Sequence, residues 1–266
     1  MPILTAMPIQ VVDREEFHRI DRQVTGFAFD IHNEFCRYVH ESLYQQELGR
    51  RLQEAGYHVV LEYEMTVRLG DFSKLYFADL LVNSGVIVET KAVNTLTNLH
   101  QGQTLNYLYM CDLHHATLLN FRSQRVEHEF VSTAISRNDR LRYQMDATKW
   151  APYSEECEPL KQHLLRCLAE WGAFLDPHLY RDALLHFFGG KQVAERTVPV
   201  VFQGTIVGTQ RVRMINDRVA FAVTASVHRP ESVLEHQKRF LKHTSLHALH
   251  WINFNRHFIE VRTITP

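Results

Sequence analysis

Hydrophobic residues are distributed along the chain in two kinds of pattern, and these patterns predict where helices and strands lie. Recurrence every three to four residues is the pattern of an amphipathic helix, whereas short apolar runs bounded by turn residues are typical of strands. In the first half of the chain, a helix is predicted near 14–55, broken around 36–39, and another near 97–112. Strands are predicted near 58–68, 75–82, 86–92, 115–121 and 125–132.

The pattern occurs twice, because residues 61–131 match residues 194–264 at one constant offset and without a gap. A sustained match of this kind indicates an internal duplication. Each copy is predicted to run helix, three strands, helix and two strands. The expected fold class is therefore α/β, with two tandem units that each hold a mixed central sheet flanked by helices. The polar, proline-containing stretch at 137–158 is predicted to be a linker, which divides the chain into domains at 1–150 and 151–266.

Composition narrows the classes of protein that fit this chain. Hydrophobic residues make up 45% of it, as in an ordinary globular core, and no apolar run approaches the roughly 20 residues that span a bilayer. The N-terminal residues lack a basic leader followed by a sustained apolar stretch. The protein is therefore expected to be cytoplasmic and to make no membrane contact.

Charge and cysteine content add two further expectations. The formal net charge of −1 predicts that any contact with nucleic acid comes from a local basic patch, which the overall charge conceals. The four cysteines have no paired spacing and are expected to be reduced, structural thiols. The 17 histidines are expected to be exposed or hydrogen-bonded rather than metal ligands.

The segment LYFADLLVNSGVIVETKAV at 75–93 is the part of the sequence most suggestive of chemistry. Asn83, Ser84 and Gly85 have the composition of a tight hairpin loop, and a three-residue loop ending in a left-handed Gly makes Val82 and Val86 the closing pair. Counting outward, Asp79 lies opposite Glu89, with their Cβ atoms roughly 5 Å apart on one face, and Lys91 follows on that face. A two-residue turn would instead place the two carboxylates on opposite faces.

Two carboxylates and a lysine on one sheet face are costly to bury without a compensating partner. A magnesium ion would supply one, with manganese as the alternative, because these cations take hard oxygen ligands. The lysine can then orient or deprotonate an attacking water, or offset charge that develops at phosphorus. This is the chemistry of phosphodiester hydrolysis. For the spacing taken alone, an exposed hairpin with an ordinary cross-strand ion pair is the alternative.

Six motifs occur in order between Gly26 and Phe121. They are GFAFDIHNEF at 26–35, ESLY at 41–44, FADLLV at 77–82, VIVETKAV at 86–93, HQGQTLNYL at 100–108 and LLNF at 118–121. In their order and spacing they resemble the PD-(D/E)XK nuclease superfamily, and within it the subgroup of GxxExxY proteins. One departure lies ahead of ESLY, where the glycines usual in this family are replaced by Cys36, Arg37 and Tyr38.

The resemblance implies roles for five residues and a restriction-endonuclease-like fold. Asp79 and Glu89 would bind the metal, and Glu41 of the N-terminal helix would complete the metal site directly or through water. Lys91 would be the lysine of the E-x-K strand, and Gln103 would lie near the site and contact water or phosphate. Two further residues within these motifs are not assigned to catalysis. Tyr44 is expected either to pack in the core or to line the site, and His100 is expected to have a structural role.

The second copy lacks this chemistry. At the constant offset, Asp79, Glu89, Lys91 and Gln103 correspond to Val212, Ala222, Thr224 and His236, and a shift of one residue restores no carboxylate. Residues 151–266 are therefore interpreted as a degenerate, noncatalytic copy that packs against the first as an intramolecular pseudo-dimer with pseudo-twofold symmetry.

The leading hypothesis is a magnesium-dependent nuclease that acts on DNA rather than RNA. One active site per chain favours nicking or trimming over cutting both strands at once. The first alternative is a noncatalytic scaffold that retains the nuclease fold to bind nucleic acid or a protein. A second is phosphoester chemistry on a nucleotide or a tRNA, and further homo-oligomerisation is left open.

Overall fold

The computed structural model describes residues 3–227 and 230–266, and the chain divides into two compact units. The first unit comprises the residues up to Arg68 together with Ser73–Arg137, and the second comprises Leu69–Phe72 and Asn138–Pro266. Each unit holds one six-stranded mixed sheet flanked by helices, which confirms the α/β class. The division falls between Arg137 and Asn138, whereas the sequence placed it near 150.

The first unit contains the predicted helices and strands in the predicted order, and the helix break lies between Phe35 and Glu41. It also has an N-terminal edge strand, β1, that the hydrophobic pattern did not predict; with three residues it is too short to show a period. The elements are β1 (Ile3–Thr5), α1 (Arg14–Phe35), α2 (Glu41–Glu54), β2 (Val59–Leu69), β3 (Phe72–Val82), β4 (Val86–Lys91), α3 (Asn98–Cys111), β5 (His115–Asn120) and β6 (Glu127–Ser132).

Strand β4 is the central element of the first unit. The sheet order is β1-β2-β3-β4-β5-β6, and β4 runs antiparallel to β3 and parallel to β5. All six residues of β4 are buried, as expected for a strand covered on both faces. The core beside it is formed by one face of α1 and α2 with strand residues, namely Phe17, Ile20, Val24, Ala28, Ile31, Leu48, Leu80 and Val88.

The predicted linker at 137–158 is wrong, because this stretch holds regular structure. Its strand β7 (Gln144–Lys149) pairs in parallel with β12 (Phe258–Ile264), so its backbone belongs to the second sheet. The stretch looks polar because β7 is an edge strand with no fully buried residue. The elements from this point on are α4 (Arg137–Leu141), β7 (Gln144–Lys149), a 3-10 turn (Glu155–Cys157), α5 (Glu158–Trp171), α6 (Pro177–Phe187), α7 (Gly190–Ala194), β8 (Glu195–Phe202), β9 (Thr205–Met214), β10 (Val219–Thr224), α8 (Pro230–Lys242), β11 (Ala248–Asn255) and β12 (Phe258–Ile264).

The second sheet repeats the strand order of the first over five strands. Its order is β8-β9-β10-β11-β12-β7, with β10 antiparallel to β9 and parallel to β11. Strands β4 and β10 begin and end at positions related by the offset that aligns 61–131 with 194–264. The sixth strand differs, because β1 lies beside β2 in the first unit and β7 lies beside β12 in the second.

Each unit has a buried asparagine that makes the same pair of backbone hydrogen bonds. Asn120 accepts a hydrogen bond from the Val93 N–H (3.0 Å) and donates one to the Val93 carbonyl (2.8 Å). Asn253 bonds the N–H (2.8 Å) and the carbonyl (3.1 Å) of Ser226 in the same way. In each unit this pair of bonds holds the segment after the central strand against the neighbouring strand.

Tyr44 is a core residue at the corner between α1 and α2. Its hydroxyl donates to the Cys36 carbonyl at 2.6 Å, and its ring stacks on Phe121 with centroids 4.3 Å apart. Cys36, which ends α1, has φ 60° and ψ −160°. That region of backbone space is reached almost exclusively by glycine.

The second unit has the same corner with glycine in that place. Tyr180 donates to the Gly172 carbonyl at 2.6 Å, and its ring lies 4.4 Å from that of Phe254. Gly172 ends α5 with φ 73° and ψ −162°.

Cys36→Gly is expected to raise the free energy of unfolding by about 1 kcal/mol, because it relieves a strained backbone at an exposed position. Gly172→Ala should lower the free energy of unfolding by at least about 1 kcal/mol, since the added Cβ would lie 2.5 Å from the Arg140 carbonyl oxygen. Urea denaturation followed by circular dichroism measures both changes. A Cys36→Gly variant no more stable than the parent would show that the corner is not strained.

Two remaining expectations concern thiols and membranes. The four cysteines are free, and Cys111, Cys157 and Cys167 are buried. No helix within the described ranges is long and apolar enough to cross a bilayer.

Candidate active site

The β3–β4 hairpin has the predicted register. Val82 pairs with Val86 and Leu80 with Val88, so a three-residue loop closes the hairpin. The left-handed residues, however, are Asn83 (φ 47°) and Ser84 (φ 57°), and the prediction of a left-handed Gly85 is wrong.

Position 85 requires a glycine for a different reason: the chain segment that precedes α1 passes close to its backbone. A Cβ at this position would lie 2.3 Å from the Gln10 carbonyl oxygen and 2.7 Å from Val12 Cγ1. The Gln10 N–H also donates to the Ser84 carbonyl at 2.8 Å. The N-terminal segment therefore braces the loop that sets the register of the hairpin.

Asp79 lies where β3 and β4 begin to diverge. Its Oδ2 accepts hydrogen bonds from the Thr90 N–H and the Thr90 hydroxyl, both at 2.7 Å. Its own N–H lies 3.5 Å from Glu89 Oε2, and its carbonyl accepts from Gln45 Nε2 at 2.9 Å. Within the described residues Oδ1 makes no hydrogen bond, which leaves it available to a ligand.

Glu89 and Lys91 form a buried ion pair on β4. Lys91 Nζ is 2.6 Å from Glu89 Oε1. Lys91 is 8% exposed, and Glu89 is fully buried at 0%. Glu41, the first residue of α2, places Oε1 at 3.8 Å from Lys91 Nζ and accepts the Ala92 N–H through Oε2 at 2.8 Å. Three of the predicted residues thus meet at one end of the central strand, next to Asp79.

The cluster carries more negative than positive charge. Burial, and then the nearby charge of Asp79, raise the pKa of Glu89 to about 7, although Lys91 opposes both. Burial alone would lower the pKa of Lys91, but its interactions with Glu89, Asp79 and Glu41 outweigh burial and the net shift is upward. One ammonium group therefore faces three carboxylates, and a cation bound here would relieve the excess.

The donor chemistry of the cluster fits a magnesium or manganese ion. Magnesium is usually held by one or two carboxylates, with water and substrate phosphate completing its shell. Asp79 and Glu89 offer two such groups, with Glu41 next to them across Lys91. In the part of the chain that the structure describes, no group of three or more His, Cys, Asp or Glu side chains is arranged to hold a metal.

Gln103 lies on an exposed position of α3, and its Nε2 donates to the Tyr107 hydroxyl at 2.8 Å. It makes no hydrogen bond to Asp79, Glu89 or Lys91 among the described residues. Tyr107 is buried, and burial followed by the charge of Glu89 raises its pKa. Gln103 is therefore bonded to a buried tyrosine whose pKa responds to the charge of Glu89.

His100 is structural, as expected. Its Nδ1 accepts the Thr97 N–H at 3.1 Å and completes a capping box at the start of α3.

Sequence reasoning missed Thr90, Gln45 and Tyr107. Strand alternation places Thr90 on the face opposite Glu89 and Lys91, so the residue gave no signal of a link to Asp79. This contact forms because β3 and β4 separate beyond the Leu80–Val88 pair. The Thr90 N–H then donates to the side-chain carboxylate of Asp79 in place of a backbone bond between the two strands. For Tyr107, the signal available was its position four residues after Gln103 on one helix face.

For the phosphodiester hydrolysis that the sequence predicts, Thr90→Val is expected to lower the cleavage rate about 10-fold, because removing one hydroxyl loosens the orientation of Asp79. Thr90→Ser keeps the hydroxyl and should retain most of the parent rate. Steady-state cleavage of a labelled oligonucleotide compares the three proteins. If the Val variant matched the parent, the Thr90 bond would have no positioning role.

The aligned positions of the second unit contain no carboxylate. Val212 and Ala222 replace Asp79 and Glu89. Thr224 stands in the place of Lys91 and is bound into the structure, because its hydroxyl donates to Asn253 (2.7 Å) and accepts from the Trp251 ring N–H (2.8 Å).

Comparison with known proteins gives one informative result. No curated protein and no solved structure matches the chain. A family model does match, over residues 18–132, and it describes the PD-(D/E)XK nuclease superfamily. Proteins of this superfamily are generally nucleases, and they typically use divalent metal ions. The match includes every residue of the candidate site. Over residues 18–132, this chain is thus similar to the nucleases of the PD-(D/E)XK superfamily.

Proposed function

We propose that the first unit is a metal-dependent nuclease of the GxxExxY subgroup that hydrolyses phosphodiester bonds in DNA. The observation that carries the proposal is the buried Glu89–Lys91 pair beside Asp79 on the central strand. A buried cluster with excess negative charge is an expensive feature that packing does not require. It lies within the segment that is similar to nucleases.

Asp79 and Glu89 are proposed to hold a magnesium ion, with manganese as the alternative, and Glu41 to complete its surroundings. When bound, such an ion polarises the phosphate and lowers the pKa of a water molecule. Thr90 and Gln45 would fix the orientation of Asp79 through its carboxylate and its carbonyl.

Lys91 is proposed to act as a charged group rather than as a base. The upward shift of its pKa keeps the ammonium protonated at neutral pH. A fixed positive charge beside the scissile phosphate stabilises the additional negative charge that builds up when water attacks phosphorus and the P–O bond to the leaving oxygen breaks. Gln103, exposed on α3, is suited to contact a phosphate oxygen or a water molecule.

The second unit is proposed to be a noncatalytic copy of the first. Its strand order, its Tyr180 corner and its Asn253 bonds repeat those of the first unit, while its aligned site positions hold no acid. One cutting centre per chain then favours nicking of duplex DNA or trimming of ends. The pseudo-twofold packing of the copies stays a prediction.

Incubation of the purified full chain with labelled nucleic acids tests the function. The panel comprises single- and double-stranded DNA and RNA, a tRNA and a supercoiled plasmid, each with magnesium, manganese or EDTA. We expect metal-dependent cleavage of DNA, none in EDTA, and conversion of the plasmid to open circles before linear molecules. Faster cleavage of RNA would overturn the choice of DNA. Binding without cleavage under every condition would contradict the enzyme and favour a scaffold.

A further inference from the structure

The turn that joins α1 to α2 carries an exposed aromatic ring close to the candidate active site. Tyr38 lies in this turn and is 70% exposed. Three residues further along the chain is Glu41, whose Oε1 lies 3.8 Å from Lys91 Nζ. Because three residues of extended chain span at most about 11 Å, the backbone of Tyr38 lies within that distance of the backbone of Glu41. The ring is therefore a neighbour of the charged cluster.

Arg37 orients the Tyr38 ring. Its Nη2 donates a hydrogen bond to the Tyr38 hydroxyl at 2.8 Å, and its guanidinium carbon lies over the ring, 5.1 Å from the ring centre. A guanidinium in this position makes a cation–π interaction with the aromatic face. The ring is thus held by a neighbouring side chain rather than by burial in the core, and most of its surface stays open to solvent.

The positive charges at this corner of the first unit are not neutralised by carboxylates. Arg50 and Arg51 of α2 both form ion pairs with Glu47. Arg37 and Arg122, by contrast, form no ion pair with a carboxylate in the part of the chain that the structure describes. Two positive charges are therefore left to attract an anion from solution.

Arg122 lies beside the turn, at the end of the sheet where β4 ends. It follows Phe121, whose N–H donates to the Lys91 carbonyl at 2.8 Å. Burial raises the pKa of the Tyr44 hydroxyl, and the positive charge of Arg122 opposes that rise, so the two side chains are close. The Tyr44 hydroxyl in turn donates to the carbonyl of Cys36, the residue just before the turn. Arg122 thus adds its charge to that of Arg37 at the same corner.

We propose that this corner binds an unpaired strand of DNA, with a base stacked on Tyr38 and the adjoining phosphates near Arg37 and Arg122. An exposed aromatic ring beside basic side chains is the combination by which proteins hold single strands. A base inside a duplex is stacked on its neighbours, so only an unpaired base offers its face to the ring. The inference rests on the proposed nuclease function of the same site, and it specifies single-stranded DNA, or a single-stranded end, as the form bound.

Fluorescence anisotropy of the full chain in EDTA tests the proposal, because it measures binding while metal-dependent cleavage cannot occur. The probe is labelled oligo(dT). The comparisons are a strand of the same length that lacks bases and a blunt-ended duplex. We expect oligo(dT) to bind at least about fivefold more tightly than either, since stacking of a base adds to the phosphate contacts.

Substitutions in the turn separate the base contact from the phosphate contact. Tyr38→Ala should weaken binding of oligo(dT) about tenfold and leave binding of the abasic strand unchanged, whereas Tyr38→Phe keeps the ring and should bind like the parent. Arg37→Gln should weaken binding of both strands severalfold and reduce its dependence on salt. Arg22→Gln is the matched control for charge and should bind like the parent. Arg22 is exposed on α1, about 20 Å along the helix axis from Phe35.

The proposal is overturned if the abasic strand or the duplex binds as tightly as oligo(dT), or if Tyr38→Ala binds oligo(dT) as the parent does. It is also overturned if Tyr38→Phe loses as much binding as Tyr38→Ala, or if Arg22→Gln weakens binding as much as Arg37→Gln. Binding through Tyr38 by a chain that never cleaves would refute the nuclease and leave the strand-binding surface standing. Cleavage by a chain whose binding ignores Tyr38 would do the reverse.

Discussion

Glu89→Gln is expected to reduce metal-dependent phosphodiester cleavage by at least about 10²–10³-fold, with little loss of stability. The exchange removes a negative charge from a buried group whose pKa is already raised to about 7, so the folded state loses little in the change. Cleavage would nevertheless fall, because the carboxylate proposed to hold the metal is gone. Single-turnover cleavage rates and thermal unfolding, measured on the same preparations, separate the two effects.

Lys91→Met should reduce cleavage to a similar extent but should also destabilise the fold, because it leaves Glu89 buried without its ion partner. The double variant Glu89→Gln/Lys91→Met should recover part of that stability and none of the activity.

The matched control for both is Glu260→Gln on β12. Glu260 and Arg262 are also an acid and a base two residues apart on one strand, and both are largely buried. Losing that pair should leave cleavage unchanged. If Glu89→Gln cleaved within about twofold of the Glu260→Gln rate, the proposed catalytic role of Glu89 would be refuted.

Gly85→Ala is expected to lower the free energy of unfolding by about 3 kcal/mol, near the upper end for overpacking. The new Cβ would lie 2.3 Å from the Gln10 carbonyl oxygen, and backbone cannot move aside as a flexible side chain can. Either the N-terminal segment separates or the hairpin shifts, and a shift would displace Asp79 from Glu89. Cleavage should therefore fall together with stability.

Gly26→Ala supplies the comparison, because this glycine lies in α1 with nothing within 4 Å of its added Cβ. There the same substitution should stabilise the protein by about 0.5–1 kcal/mol, since alanine is the better helix former. Chemical denaturation of both variants gives the two values. Equal stability of Gly85→Ala and the parent would mean that the N-terminal segment does not brace the loop.

The meeting of Asp79, Glu89 and Lys91 could be predicted because it depends on two local rules. Side chains alternate along a strand, and the length of the loop sets which residues face each other. The composition at 83–85 indicated the length of the loop correctly even though the wrong residue was assigned the left-handed conformation. Register is therefore more predictable than the backbone conformation that produces it.

Features that depend on distant segments could not be predicted from local pattern. Gly85 is required by Gln10, which lies far away in the sequence and gave no signal of the contact. The bond from Thr90 to Asp79 needs the strands to separate at one particular point. Strand β7 was assigned to a linker because an edge strand that buries little lacks the alternation that marks a strand.

A metal-dependent centre at Asp79 and Glu89 is tested most directly by titrating the full chain with Mn²⁺ and following the paramagnetic resonance signal of the free ion. We expect the parent and Glu260→Gln to take up Mn²⁺ at a site that Asp79→Asn and Glu89→Gln both lose. Uptake by the parent that persists unchanged in Asp79→Asn and Glu89→Gln would contradict this centre, as would a parent that binds no Mn²⁺.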